Sequence, residues 1–280
     1  MSDPHNPEDP QDRQIGGQQG GGASSGPPPG PVRDLAVGPT VRDVFLAIFG
    51  NLPALLRLMA LPAALQAGIT LIVMSGIESG EITMQDLASF LIPLLLFSML
   101  PMAVFGYGWL RYLLLGAGGA PLLWPREIKA VMKLFFSLLG ILIVSSLAGA
   151  LASNLGIMVL GLPTGGPASL AQFLPIALIS LGVSLWLLLR LGLVLPARAL
   201  QESYSLRHSW NQTKGQSMAL LLAAIATLPP VYIVSVFLSS LTGGVAGVIL
   251  SAIGILLVQA AFFALLASAF RQISGWVPPN

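Results

Sequence analysis

The chain has 280 residues, 55% hydrophobic and 9% charged, with a formal net charge of +2. Soluble domains carry roughly 25% charged residues, so this charge could not cover a water-facing surface of such a protein. The 13 basic residues are scattered rather than massed in one patch, which argues against a nucleic-acid partner, and the absence of cysteine excludes disulfides, thiolate catalysis and cysteine metal sites.

Residues 1–40 hold eight Pro and eight Gly, including Pro27-Pro28-Pro29 and Gly20-Gly21-Gly22. With almost no large apolar residues, this stretch cannot offset its ordering entropy and reads as a disordered cytoplasmic tail. It lacks the basic region and short apolar run of a secretory signal. Residues 41–275 read as one membrane domain.

That domain is organised by gaps in charge. Between Lys133 and Arg190, and again between Lys214 and Arg271, run 56 residues without Asp, Glu, Lys, Arg or His. A membrane helix needs about 20 mainly apolar residues to cross roughly 30 Å of hydrocarbon, so each gap holds two crossings and a turn. The stretch from Arg57 to Arg111 is similar, with acids only at Glu78, Glu81 and Asp86. The predicted spans are 54–77, 88–115, 134–160, 170–196, 217–240 and 245–270. Strands are excluded because the apolar runs are too long and do not alternate. Every basic residue falls on one side of this layout, at residues 13–57, 111–133, 190–214 or 271. The positive-inside rule then places both termini in the cytoplasm.

Arg42, Arg126 and Arg207 each open a segment before an odd-numbered span, and Arg111, Arg190 and Arg271 each close an even-numbered one. The pattern predicts an all-α integral membrane protein built as three repeats, each an amphipathic lead-in helix followed by a transmembrane hairpin. The first lead-in carries the stripe Val41, Val44, Phe45, Ile48. The second carries Ile128, Val131, Met132, Phe135, with Arg126, Lys129 and Lys133 opposite. The third is weaker, with Leu206 and Trp210 against Arg207, Asn211 and Lys214. Such helices lie in the interface with the apolar face toward acyl chains, and each cation among anionic head groups contributes about 1 kcal/mol. Arg126, Lys129, Lys133, Arg207 and Lys214 are therefore the candidate anionic-lipid contacts, although the same cations also serve simply to fix topology.

Arg190 lies inside the apolar run that ends at Leu195-Pro196, about 10 Å deep by helix rise. A long arginine can snorkel that far to the head groups, and Lys should then replace it. Glu202 can pair with Arg198 at i, i+4 or with Arg190 across a bend, and the second pairing would make Arg190 and Glu202 an intramembrane functional pair. Pro229-Pro230 would suit a broken helix at a transport cavity, though proline is also tolerated in membrane helices. Asn154, Gln172, Tyr232 and Gln259 are the polar candidates for its lining. Ser145, Gly149, Ser153 and Gly243, Gly247, Ser251 are small residues at four-residue spacing, suited to close helix approach within the chain or between copies in a homo-oligomer.

No catalytic constellation is legible. The histidines are His5 and His208, and beyond Asp86 the carboxylates are Glu127 and Glu202 alone, so no catalytic residue, metal site or cofactor is expected.

The stretch Arg190 to Gly215, RLGLVLPARALQESYSLRHSWNQTKG, resembles the bacterial glycerophosphoryl diester phosphodiesterase membrane-domain family and its six-helix inner-membrane relatives. The residues that carry the resemblance are Leu195, Pro196, Ala197, Glu202, Ser205, Arg207, Ser209, Trp210, Thr213, Lys214 and Gly215, with His208 in place of the family's usual basic residue. Some relatives fuse this region to a catalytic barrel, which this sequence lacks, so the resemblance implies an inner-membrane protein rather than a phosphodiesterase. The reading is a non-catalytic protein working through membrane lipids or a membrane protein partner in envelope or lipid homeostasis. The alternative is a small-molecule or lipid transporter with a cavity between repeats.

Overall fold

The computed structural model describes residues 34–80, 82–119, 127–159 and 170–277, with the backbone alone for 84–92, 119 and 170–173. Arg126, Glu81, the turn at 162–167 and residues 1–33, to which the sequence assigned roles, lie outside the described residues. The helices are α1 Val37–Gly50, α2 Leu52–Glu78, α3 Met84–Leu115, α4 Ile128–Val159, α5 Leu170–Gly192, α6 Val194–Ala199, α7 Leu206–Gln212, α8 Ser217–Ser240 and α9 Gly244–Ser274. Six segments are long and apolar enough to cross a membrane: α2, α3, α4, α5 continued by α6, α8 and α9. No strand occurs among the described residues, so the chain is an all-α multi-pass membrane protein.

The spans pack as hairpins α2–α3, α4–α5 and α8–α9. The starts of α2, α4 and α8 and the ends of α3, α5 and α9 share one end of the bundle, which carries every described cation and is called the basic end below.

The lead-in helices differ from one another and from their expected setting. α1 starts at Val37, inside the stretch assigned to the tail, because Pro39 falls in the first helical turn where a missing N–H costs nothing. Its Val44 and Ile48 are buried in the bundle rather than turned to acyl chains. Leu46 and Phe49 face outward beside Arg42. The second lead-in is the beginning of α4, which runs 32 residues unbroken because Ile128 to Leu139 contains no Gly or Pro and the Ser137 hydroxyl donates back to the Lys133 carbonyl. α7 is a separate short helix. Ser205 caps it by accepting a hydrogen bond from the His208 N–H at 3.1 Å, and it buries Ser209 and Gln212 while leaving Leu206 and Trp210 partly exposed.

At the centre stands the second half of α9, where every side chain from Ala260 to Phe270 is buried. Its many alanines let neighbours approach closely. A Cβ on Gly106 of α3 would meet Phe263 at 2.6 Å, and one on Gly192 would meet Leu266 at 3.0 Å. The Trp109 indole donates to the Ala260 carbonyl at 3.1 Å. α1 is tied to the same helix: the Thr40 hydroxyl accepts from the Gln272 amide at 3.0 Å, the Asp43 carboxylate accepts from the Ser268 hydroxyl at 3.1 Å, and the Gln272 side-chain carbonyl accepts from the Ala36 N–H at 3.1 Å.

Lipid tails are as apolar as leucine, so helix association in a membrane depends on close packing and hydrogen bonds. The first small-residue stripe serves this use. The Ser180 hydroxyl donates to the Gly149 carbonyl at 2.9 Å, and the Ser184 hydroxyl donates to the Ser145 carbonyl at 3.1 Å. In the second stripe the closest approach shifts to Gly254, where a Cβ would meet the Ser235 carbonyl oxygen at 3.1 Å, while Gly247 abuts the turn residue Thr242. The two α4 glycines make a matched test. A Cβ on Gly149 would collide with Ser184 Oγ and lie 3.0 Å from the Ser180 carbonyl oxygen, whereas one on Gly140 meets nothing within 4 Å. Gly149→Ala should cost about 1–3 kcal/mol of stability through overpacking. Gly140→Ala should be neutral or gain up to about 1 kcal/mol through helix propensity. Thermal unfolding of both in one detergent checks the difference.

Candidate functional site

At the basic end, the first turns of α4 face the segment that follows α6 across a cleft of ≈ 640 Å³. Lys129 and Lys133 project into it from α4, one turn apart, and Arg198, Gln201 and Glu202 line the other wall. Its floor is a polar network. Glu127 accepts hydrogen bonds from the Tyr107 hydroxyl at 2.7 Å and from the Gln201 amide, and pairs with Arg111 at 3.8 Å. Arg111 also donates to the Ala199 carbonyl at 3.4 Å, tying α3 to the end of α6.

The α6 wall is held by a left-handed residue that is not glycine. Gln201 has φ 63, the Glu202 N–H returns to the Ala197 carbonyl at 2.9 Å, and the Gln201 N–H returns to the Arg198 carbonyl at 3.1 Å. This is the helix-ending hydrogen-bond pattern that usually employs glycine, as at Gly275 after α9. The Gln201 side chain, which glycine would lack, bridges the cleft to Glu127. Beyond it, partial burial raises the Glu202 carboxyl above its usual range, opposed by a hydrogen bond from Trp276. Burial, and then the Glu202 charge, raises the Tyr204 phenol, which donates to Gln212 at 2.5 Å.

Arg198 is the unsatisfied member of this group. Its Nε is buried with no hydrogen-bond partner among the described residues. The same side chain lines a second hollow, of ≈ 340 Å³, with Ser203, Ser205 and His208. An arginine N–H is a strong donor that ordinarily finds an acceptor when removed from water.

Arg190 is not where the sequence placed it. Rather than snorkel to the head groups it is buried, at 8% exposure. Its Nη2 donates to the Trp210 carbonyl at 2.8 Å and its Nε to the Thr213 hydroxyl at 3.1 Å, and its guanidinium lies 3.6 Å from the Trp210 ring centroid and 5.3 Å from that of Trp186. The Ser209 hydroxyl closes the clamp by donating to the Arg190 carbonyl at 2.5 Å. Arg190 and Glu202 are not brought together: the end of α7 supplies the guanidinium with the Trp210 carbonyl, the Thr213 hydroxyl and the Trp210 ring, and Glu202 turns to Trp276 instead.

The remaining sequence candidates divide. Lys129 and Lys133 share the cleft, whereas Arg207 and Lys214 stand exposed on and just after α7. Pro229 and Pro230 lie on the exposed side of an unbroken α8, away from any lining role. Tyr232 is 60% exposed, Asn154 donates to its own helix, and Gln259 keeps a buried Oε1 without a partner among the described residues. The Gln172 side chain lies outside the described residues. Sequence reasoning missed Gln201 and treated Arg198 as a topology marker and a candidate partner of Glu202.

No family model matches the chain, and no curated protein or solved structure matches it. The site therefore stands on its own geometry.

Substitutions at two positions test that geometry. At position 201 the left-handed backbone costs a side chain about 1–2 kcal/mol, so Gln201→Gly should melt at or above the parent. Gln201→Ala, which keeps the strain and loses the bridge, should melt lowest of the three. Arg190→Lys loses the planar fork and the stacking between two indoles, so thermal unfolding should report a loss of about 2 kcal/mol where a snorkelling residue would report almost none.

Proposed function

We propose that this chain is a non-catalytic multi-pass protein of the bacterial inner membrane, with both termini cytoplasmic, that acts through lipids or membrane partners in envelope or lipid homeostasis. One observation carries the reading: the described cations gather at a single end of an apolar bundle, and Lys129, Lys133 and Arg198 converge there on one cleft. The positive-inside rule supports a cytoplasmic position for that end. Membership of the glycerophosphoryl diester phosphodiesterase membrane-domain family is part of the proposal. The residues that carry the resemblance include Ser209, Trp210 and Thr213, which make the clamp on Arg190.

A second reading, transport of a small molecule or lipid, draws support from a groove of ≈ 350 Å³ near the α8–α9 turn, lined in part by Gln66, Thr70, Ser239, Thr242 and Ser251. Its hydroxyls and amide sit among membrane-spanning helices at the end opposite the cations.

Orientation and lipid preference are both measurable. Single cysteines at Thr242 and Asn211, both exposed, can be probed in intact cells with an impermeant thiol reagent. Labelling at 242 and not at 211 is expected, and the reverse would invert the orientation. The purified protein should retain anionic phospholipid over phosphatidylcholine by mass spectrometry. Equal retention of the two classes would remove the lipid-based reading.

A further inference from the structure

The cleft between α4 and the end of α6 has a charge balance that selects among anions. Glu127 is engaged by Tyr107, Arg111 and Gln201, so its charge is met within the protein. Lys129, Lys133 and Arg198 make no ion pair among the described residues, and the one further carboxylate in the lining is Glu202. Three cations against one free acid leave a surplus of two positive charges. Arg198, partly buried, stands in the wall they share, and its buried Nε has no acceptor among the described residues. Lys129 and Lys133 bring mobile point charges on flexible stems, while Arg198 brings the planar fork that matches a phosphate edge.

We infer that this cleft is a binding site for a phosphomonoester dianion, with the Arg198 guanidinium donating to the phosphate edge and Lys129 and Lys133 donating to its remaining oxygens. The inference rests on the lipid-based reading above and sharpens it. Diffuse interfacial attraction depends on how many cations stand near the surface and not on which ones, so Arg207 and Lys214 would contribute to it as much as Lys129 and Lys133. A cleft with a fixed fork and a surplus of two prefers a terminal phosphate over the single charge of a phosphodiester. The ligand source is either a phosphatidate-type lipid or a soluble phosphate compound, since both present the same oxygens. The outward-facing Arg207 and Lys214 belong to the diffuse kind of contact and have no part in it.

The test uses the full chain in nanodiscs of phosphatidylcholine doped with either phosphatidic acid or phosphatidylglycerol, with bound lipid read by native mass spectrometry. Phosphatidic acid should be retained at least about tenfold over phosphatidylglycerol, the factor expected when one charge-assisted hydrogen bond is gained. Arg198→Gln should abolish that preference. Lys129→Gln with Lys133→Gln should do the same, and because both lysines are exposed this variant keeps the fold even if the Arg198 variant does not. Arg207→Gln with Lys214→Gln should leave the preference intact. In a parallel arm, inorganic phosphate is added to lipid-free detergent samples and thermal stability is followed. A rise lost in the Lys129/Lys133 variant assigns a soluble phosphate source, and no rise alongside retained phosphatidic acid assigns the lipid. Equal retention of the two anionic lipids with no phosphate-induced rise, or a preference unchanged by the Lys129/Lys133 variant, would overturn the phosphate site while leaving general anionic-lipid binding in place. Retention of neither over phosphatidylcholine, without any phosphate effect, would sink both.

Discussion

The bundle depends on close packing around the second half of α9. Water drives the core of a soluble protein together, but a helix leaving lipid for a neighbouring helix gains no such term, so contact distance and hydrogen bonds decide which helices stay together. From Ala260 to Phe270 this helix is buried on every side, with alanine or serine at six of eleven positions. α1, α2, α3, α6 and α8 pack against it, and the end of α5 reaches it at Gly192. The large side chains on the same helix, Phe263 and Phe270, fill the gaps that the small ones open, and Phe263 lies against the Gly106 backbone where no other residue would fit.

The two ends of the bundle consequently differ. At the basic end, side-chain amides and hydroxyls from Gln216, Gln272, Thr40 and Asn51 fasten helices to one another across long sequence separations. Toward the opposite end the helices present leucine, isoleucine, methionine and valine outward, as at Leu151, Leu155, Met158 and Val159 of α4. That surface suits acyl chains and carries little information about shape. The polar construction, and with it the cleft, lies where water and head groups are accessible.

Much of this was legible in the chain. The six spans follow from two 56-residue gaps in charge and a third near-gap, because few other arrangements accommodate so long an uncharged run. The first small-residue stripe also found its partner helix. Orientation of the lead-in helices was not legible, since an apolar stripe such as Val44 and Ile48 is equally suited to lipid and to a neighbouring helix, and only the bundle decides. For α7 the polar residues Ser209 and Gln212 turned inward, an outcome that depends on Arg190 arriving from another helix. Gln201 could not be found because its left-handed backbone follows from where α6 stops, and nothing in the local sequence marks that point.

The clamp on Arg190 also makes the fourth span depend on sequence beyond it. Arginine within an apolar span disfavours insertion, by about 2.5 kcal/mol or more at a helix centre and less toward an end. Here the acceptors that relieve that cost, Trp210 and Thr213, lie 20 and 23 residues downstream. Any fragment of this chain that stops before them keeps the charge and loses its acceptors. Settling of the second hairpin in the bilayer and folding of α7 are therefore a single event, and a break in the chain between residues 200 and 209 would divide a unit that the helix boundaries make look like two.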